Sequence, residues 1–188
     1  IDIWFGSSER RWMLTGQRYY VGEHDILQRK RTAIGENGEL IEVQNLANNK
    51  LVHAFVRKLV DQKVGYLLGK PLSIQTKNQH LDLLNKIFDR SFLRLLKSLG
   101  KEAVNKGKAW LHVYYDEEGR LSFKKIPSEE IIPLWRDADH TQLDAVIRVY
   151  EVEAYEGTQK KIITKVEFWD TSGVRRYVLD EGGLIPDV

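Results

Sequence analysis

The clearest pattern of apolar and polar positions begins at Asn48 or Asn49 and runs to Leu68. Leu51, Val52, Phe55, Val56, Leu59, Val60, Val64, Leu67 and Leu68 recur at steps of three and four, while Lys50, Arg57, Lys58, Asp61 and Gln62 fill the other side. The spacing predicts a long amphipathic helix of about 30 Å whose apolar face is turned to a core. Gly69 and Pro71 end it, the first by permitting a left-handed cap and the second by lacking an amide hydrogen. Leu81, Leu84, Ile87 and Phe88 give the stripe of a second helix, and Phe92, Leu95, Leu96, Leu99 and Ala103 that of a third, closing near Gly107. After Gly107 the period falls to two. Ala109, Leu111, Val113 and Tyr115 alternate with Trp110, His112 and Tyr114, and Asp116 to Gly119 form a hairpin loop before Leu121, Phe123 and Ile126. Pro127 to Glu130 reads as a capped single turn, and strands follow over Ala145 to Ala154, Ile162 to Trp169 and Val174 to Leu179. Helices first and antiparallel hairpins or a meander afterwards predict an α+β fold, not a parallel nucleotide-binding sheet.

Upstream, Ser7 or Ser8 caps a helix through about Tyr20, with Glu9 favourably placed against its dipole and Trp12 and Tyr19 on one face. Arg29-Lys30-Arg31 and the loop Gly35-Glu36-Asn37-Gly38 follow. Residues 1–47 therefore read as an N-terminal arm and connector, and residues 48–188 as an α+β domain. Trp4, Phe5 and Trp12 would cost free energy in water, so the arm either packs on its own domain or docks on a neighbour. These three are the candidate subunit-interface residues.

Composition narrows the chemistry. The chain has 188 residues, 42% apolar and 30% charged, in the range of an ordinary folded domain. It contains no cysteine, which excludes disulfides, thiolate metal sites and thiol nucleophiles. A net charge of +2 is too small for a protein whose main task is to grip phosphates. No apolar stretch approaches the ~18 residues of a membrane span, and Ile1-Asp2-Ile3-Trp4-Phe5 carries no cationic leader region. The missing initial Met and the uncapped end Ile185-Pro186-Asp187-Val188 suggest a fragment of a longer chain.

The motifs of catalysis fail one by one. Gly65 to Pro71 imitates a phosphate loop, but its glycines are one residue too close, Pro71 replaces the magnesium-binding hydroxyl, and the segment closes a helix instead of opening one. Gly65 and Gly69 form a G-x-x-x-G that signals close backbone packing at most. No two of His24, His53, His80, His112 and His140 have the spacing of a ligand pair on one helix face, so no metal or cofactor is expected. Asp116 to Glu118 crowd a hairpin tip, Glu129 and Glu130 suit a first helical turn, and no G-x-S-x-G elbow exists. No residue is assigned a catalytic role. Arg29, Lys30 and Arg31, near Tyr19 and Tyr20, are the candidate nucleic-acid contacts. They support the alternative reading, a DNA- or RNA-binding module that also uses the aromatic strands around Trp110 and Tyr114.

Three runs carry a resemblance: Tyr19-Tyr20-Val21-Gly22-Glu23-His24-Asp25-Ile26-Leu27, Asn45-Leu46-Ala47-Asn48-Asn49, and Lys63-Val64-Gly65-Tyr66-Leu67-Leu68-Gly69-Lys70-Pro71. With Gly107-Lys108-Ala109-Trp110, the Asp116 to Gly119 hairpin and Ile126 to Pro133, their order resembles the portal proteins of tailed bacteriophages, in particular the siphophage portals related to SPP1. The resemblance implies a homo-oligomeric ring, typically dodecameric, at one capsid vertex of the virion, assembled in the host cytoplasm. Double-stranded DNA passes through its centre in packaging and ejection. Such a ring partners capsid and scaffolding proteins, the terminase and head-completion or adaptor proteins, and has no membrane partner. It is a conduit and head-to-tail connector without an ATPase of its own. This chain would be the amino-terminal, mostly wing, part, with stem, clip and crown lying downstream.

Overall fold

The computed structural model describes residues 1–76 and 80–187. Helix α1 (Asp2–Phe5) leads into α2 (Ser8–Val21), capped by Ser7, whose side chain accepts from the Arg10 amide at 3.2 Å. A 3-10 turn at Asp25–Gln28 precedes a hairpin of β1 (Thr32–Ile34) and β2 (Leu40–Glu42). The loop at Gly35 to Gly38 is thus the turn of a hairpin that the apolar pattern does not announce.

Helix α3 spans Phe55–Leu68, not the whole stretch from Asn48 or Asn49. The reason lies in the connector. Asn48 donates its side-chain amide to the Arg29 carbonyl at 2.9 Å and Lys50 reaches the Leu27 carbonyl at 2.7 Å, so the residues that could cap a longer helix tether the preceding segment instead. At 14 residues α3 is about 21 Å long. Of its apolar residues only Val60 and Val64 are buried, which corrects the single buried face read from the sequence. Gly69 closes it at φ −70°, right-handed and not in the left-handed cap anticipated. Gly65 is exposed, and a side chain there would meet nothing within 4 Å, so the G-x-x-x-G packs no partner helix within this chain.

Helices α4 (Leu81–Ile87) and α5 (Arg90–Lys106) follow. The Asp89 side chain caps α5, and Gly107 ends it at φ +83°. Helix α5 is the hub of the helical layer. Gly16 of α2 abuts the Asn105 carbonyl, and Gly100 abuts Val64 and Leu68 of α3, so two glycines allow the backbones to come close. Phe92 meets Phe123 at 4.9 Å between ring centroids, bringing the hairpin of β3 (Trp110–Tyr115) and β4 (Leu121–Ile126) onto α5.

After the turn at Ser128–Glu130, five antiparallel strands form a meander in sequence order: β5 (Ile131–Trp135), β6 (Leu143–Glu156), β7 (Gln159–Asp170), β8 (Gly173–Asp180) and β9 (Gly183–Pro186). The α+β architecture expected from the sequence is the one observed. Strands β6 and β7 outrun their apolar cores because pairing continues through charged residues, Tyr155 opposite Lys160 and Lys160 paired with Glu153 at 2.6 Å. Pro186 is tolerated because β9 is the edge. Ile131, Ala145, Val149 and Val166 are the buried centre of this sheet.

Candidate functional site

The helical layer and the meander are joined by a chain of buried charges. Glu102, 7% exposed, accepts from the Ser128 amide at 3.0 Å, Lys106 at 2.9 Å and Lys125 at 3.0 Å. Burial pushes the Glu102 carboxyl up, but hydrogen bonds from Lys106, Ser128 and Lys125 outweigh it and hold the group below its ordinary 4.5. Lys106 also reaches Glu129 at 2.7 Å. On the other side of the same turn, Glu130 accepts from Arg148 at 2.9 Å, and burial holds this carboxyl above 4.5 against the pull of Arg148. Glu167 continues the line, accepting from Tyr150 at 3.1 Å and Trp169 at 3.2 Å. Glu129 and Glu130 lie in the first turn of the 3-10 helix at Ser128–Glu130, as the sequence suggested, and there they pair with different layers, Glu129 with Lys106 of α5 and Glu130 with Arg148 of β6. The signal for this seam is that Glu102 and Lys106 extend the stripe Phe92, Leu95, Leu99 at steps of three and four. Charges at core positions on one helix face require partners.

The interface candidates separate. Trp4 is buried and its indole N–H donates to the Glu129 carbonyl at 3.0 Å, so it packs on its own chain. Phe5 is partly covered by the Arg10 guanidinium, 4.7 Å from its ring centre. Trp12 is 68% exposed. Helix α2 itself is bound to α3 through Tyr20, whose hydroxyl donates to Asp61 at 2.9 Å.

The basic triplet is exposed, and two of its three side chains are engaged within the chain. Lys30 pairs with Glu42 at 3.0 Å, Arg31 donates to the Ala47 carbonyl at 2.7 Å, and the Arg29 carbonyl holds Asn48. Four of the five histidines have aromatic neighbours: His24 stacks on Tyr19, His53 tilts against Phe55, His112 meets Trp169 edge-on, and His140 stacks on Trp135. The Asp116 carboxylate accepts from the Glu118 and Arg120 amides, which shapes its own loop and lowers its pKa. Among the described residues, no group of three or more His, Asp or Glu is placed to hold a metal, and no helix is long and apolar enough to cross a membrane.

What the molecule offers is surface. Its accessible area is 14532 Å², against roughly 9,300 Å² for a compact monomer of its mass. Large apolar side chains contribute to it: Phe55, Leu59 and Tyr66 on α3, Ile34 and Leu40 on the β1–β2 hairpin, and Tyr115 on β3 are all more than half exposed. A surface of this kind is suited to contact with other protein.

The model of the family described as phage portal protein, SPP1 Gp6-like, matches residues 7–185. The chain belongs to that family. Two portal proteins illustrate the relation: that of Bacillus phage SPP1 is 30% identical over 90% of this chain, and that of Clostridium phage phiCD119 is 33% identical over 91%. The chain spans 33% and 40% of those relatives' own lengths. The resemblance carried by the Tyr19, Asn45 and Lys63 runs is therefore borne out.

Proposed function

We propose that this chain is a wall segment of an oligomeric portal ring at one vertex of a phage capsid, a structural conduit for double-stranded DNA and a head-to-tail connector with no catalytic step. The observation that carries this reading is the family match over nearly the whole chain. The uncovered apolar surface supports it, because a closed head-to-tail ring covers on each subunit what the lone subunit exposes. In this reading the ring is dodecameric, residues 48–188 form a wing-like part, and residues 1–47 are an arm whose Trp12 and Phe5 face a neighbour while Trp4 anchors it at home. Capsid and scaffolding proteins, terminase and head-completion proteins are its partners, chiefly through parts of the protein outside this chain. The alternative nucleic-acid module draws no support from Lys30 and Arg31, whose charges are answered by Glu42 and the Ala47 carbonyl.

Native mass spectrometry of the full-length protein, with electron microscopy of assembled particles, tests the proposal. Closed rings of about twelve copies are expected. A protein that stays monomeric in solution and within particles overturns it.

A further inference from the structure

Helix α3 carries two apolar stripes. Val60 and Val64 turn inward to α5, and on the opposite side Phe55, Leu59, Gln62 and Tyr66 recur at steps of four, three and four. The apolar three of that outer stripe are 62%, 64% and 91% exposed. A helix apolar on both sides is stable only when both are covered. Exposed Lys58 and Lys63 flank the outer stripe, and the helix's one carboxylate, Asp61, is tied to Lys101 at 2.8 Å. The outer face of α3 is therefore apolar and basic.

A groove of complementary character lies across the molecule. Between α4–α5 and the β3–β4 hairpin is a space of about 1040 Å³, walled by Leu83, Ile87, Phe92, Leu95, Tyr115 and Phe123. The charged residues of its walls, Lys86, Asp89, Asp116 and Arg120, balance. Beside its lip, the hairpin tip adds Glu117 and Glu118, and with Arg120 paired to Asp116 and Glu118 the tip keeps a net negative charge, Glu117 being the carboxylate without an ion-pair partner among the described residues. The two surfaces lie on opposite sides of α5. Gly100 and Lys101 meet α3, Phe92 and Glu102 meet β4, and at about 100° per residue these pairs point roughly 180° apart. One chain cannot bring its own α3 face to its own groove. Two unlike, complementary surfaces on opposite sides of a subunit are what a repeating head-to-tail contact requires.

We propose that the outer face of α3 in one copy seats in the α4–α5/β3–β4 groove of the next copy. This rests on the ring reading above and names the surfaces that make the ring. The apolar stripe enters the groove while Lys58 and Lys63 meet the acidic tip, which fixes direction and register.

The chain has no cysteine, which makes a direct test available. In the full-length protein freed of any other cysteine, Leu59→Cys and Tyr115→Cys are combined and mildly oxidised. A ladder of disulfide-linked multimers on a denaturing gel is expected. Separately, Lys58→Glu with Lys63→Glu raises the concentration needed for assembly roughly ten-fold or more, and adding Glu117→Lys with Glu118→Lys restores it. Rings that form normally but give no ladder, and that ignore the charge reversal, overturn the proposed contact and leave the ring reading standing. An unsubstituted protein that is monomeric even in particles removes both. A disulfide within single chains also overturns the contact, since α5 stands between the two sites.

Discussion

Trp4 and Trp12 stand eight residues apart in one arm and meet opposite fates. Trp4 fills a place between α1 and the Ser128–Glu130 turn with its N–H satisfied, whereas Trp12 lies on the outer side of α2. Trp4→Ala is expected to destabilise the protein by about 3–5 kcal/mol, the range for emptying a buried aromatic site. Trp12→Ala is expected to leave protomer stability within about 0.5 kcal/mol and to weaken assembly. Denaturant unfolding, read beside native mass spectrometry, separates the two, and equal losses of stability would contradict the packing described. Glu102 supplies a second residue-scale prediction. Its folded pKa lies below 4.5, so its contribution to stability is fully present above 4.5 and is lost as pH falls through the lower folded value. Glu102→Gln keeps an acceptor for the Ser128 amide but removes the charge facing Lys106 and Lys125. It should cost about 3 kcal/mol at pH 7, the lower end for breaking a buried pair, because Glu129 still holds Lys106. The gap between variant and native protein should close as pH drops below 4.5. Unfolding curves from pH 7 to 3 provide the check, and a constant gap would mean that the charge is not what joins the layers.

At the scale of elements, three glycines in helices predict three different responses to alanine. Gly65 is exposed with open space around it, so Gly65→Ala should stabilise by about 1 kcal/mol through helix propensity. At Gly100 a methyl would stand 2.9 Å from the Leu68 Cδ1, a flexible tip that can turn away, and gain and cost should nearly cancel. At Gly16 it would stand 2.6 Å from the Asn105 backbone oxygen, and Gly16→Ala should destabilise by about 1–3 kcal/mol as α2 is forced off α5. Thermal unfolding of the three variants should rank them in that order. The sequence made legible what is local: the Ser7 cap, the Gly107 stop, the β3–β4 hairpin and the single turn at Ser128. It hid what depends on distant partners. The start of α3 was displaced by tethers from Asn48 to Arg29 and Lys50 to Leu27, which no periodicity records. The strands of the β1–β2 hairpin are three residues long and β9 is four, too short to leave much of a pattern to read. In the candidate site, spacing identifies an apolar stripe on α3 but not whether its own chain or another covers it. Of the nine apolar positions read as one face, Leu51 and Val52 precede the helix and the seven within it are spread over two sides.

The whole molecule is marked by too much surface and too little charge. An area of 14532 Å², about half again that of a compact monomer of this mass, calls for other protein to cover it. A net charge of +2 gives DNA little to hold. In the conduit proposed above these two properties belong together, because each firm phosphate contact adds a barrier to sliding and releases a counterion. The argument has a measurable form. Three cations at Arg29, Lys30 and Arg31 could contribute at most a slope of about −3 in a plot of log affinity against log salt, and two of them are already engaged within the chain. Filter binding of double-stranded DNA to the full-length protein should therefore be weak at physiological salt. Combined Arg29→Glu, Lys30→Glu and Arg31→Glu should leave both the binding curve and DNA packaging in particles unchanged. Tight binding by the lone protomer that vanishes with this triple reversal would return the chain to the nucleic-acid module. Unaltered packaging leaves the triplet as a tether of the connector, with Arg31 fastening the Ala47 carbonyl and Lys30 the β1–β2 hairpin. In the proposed ring the DNA path would then be defined by shape, not by affinity at the wall.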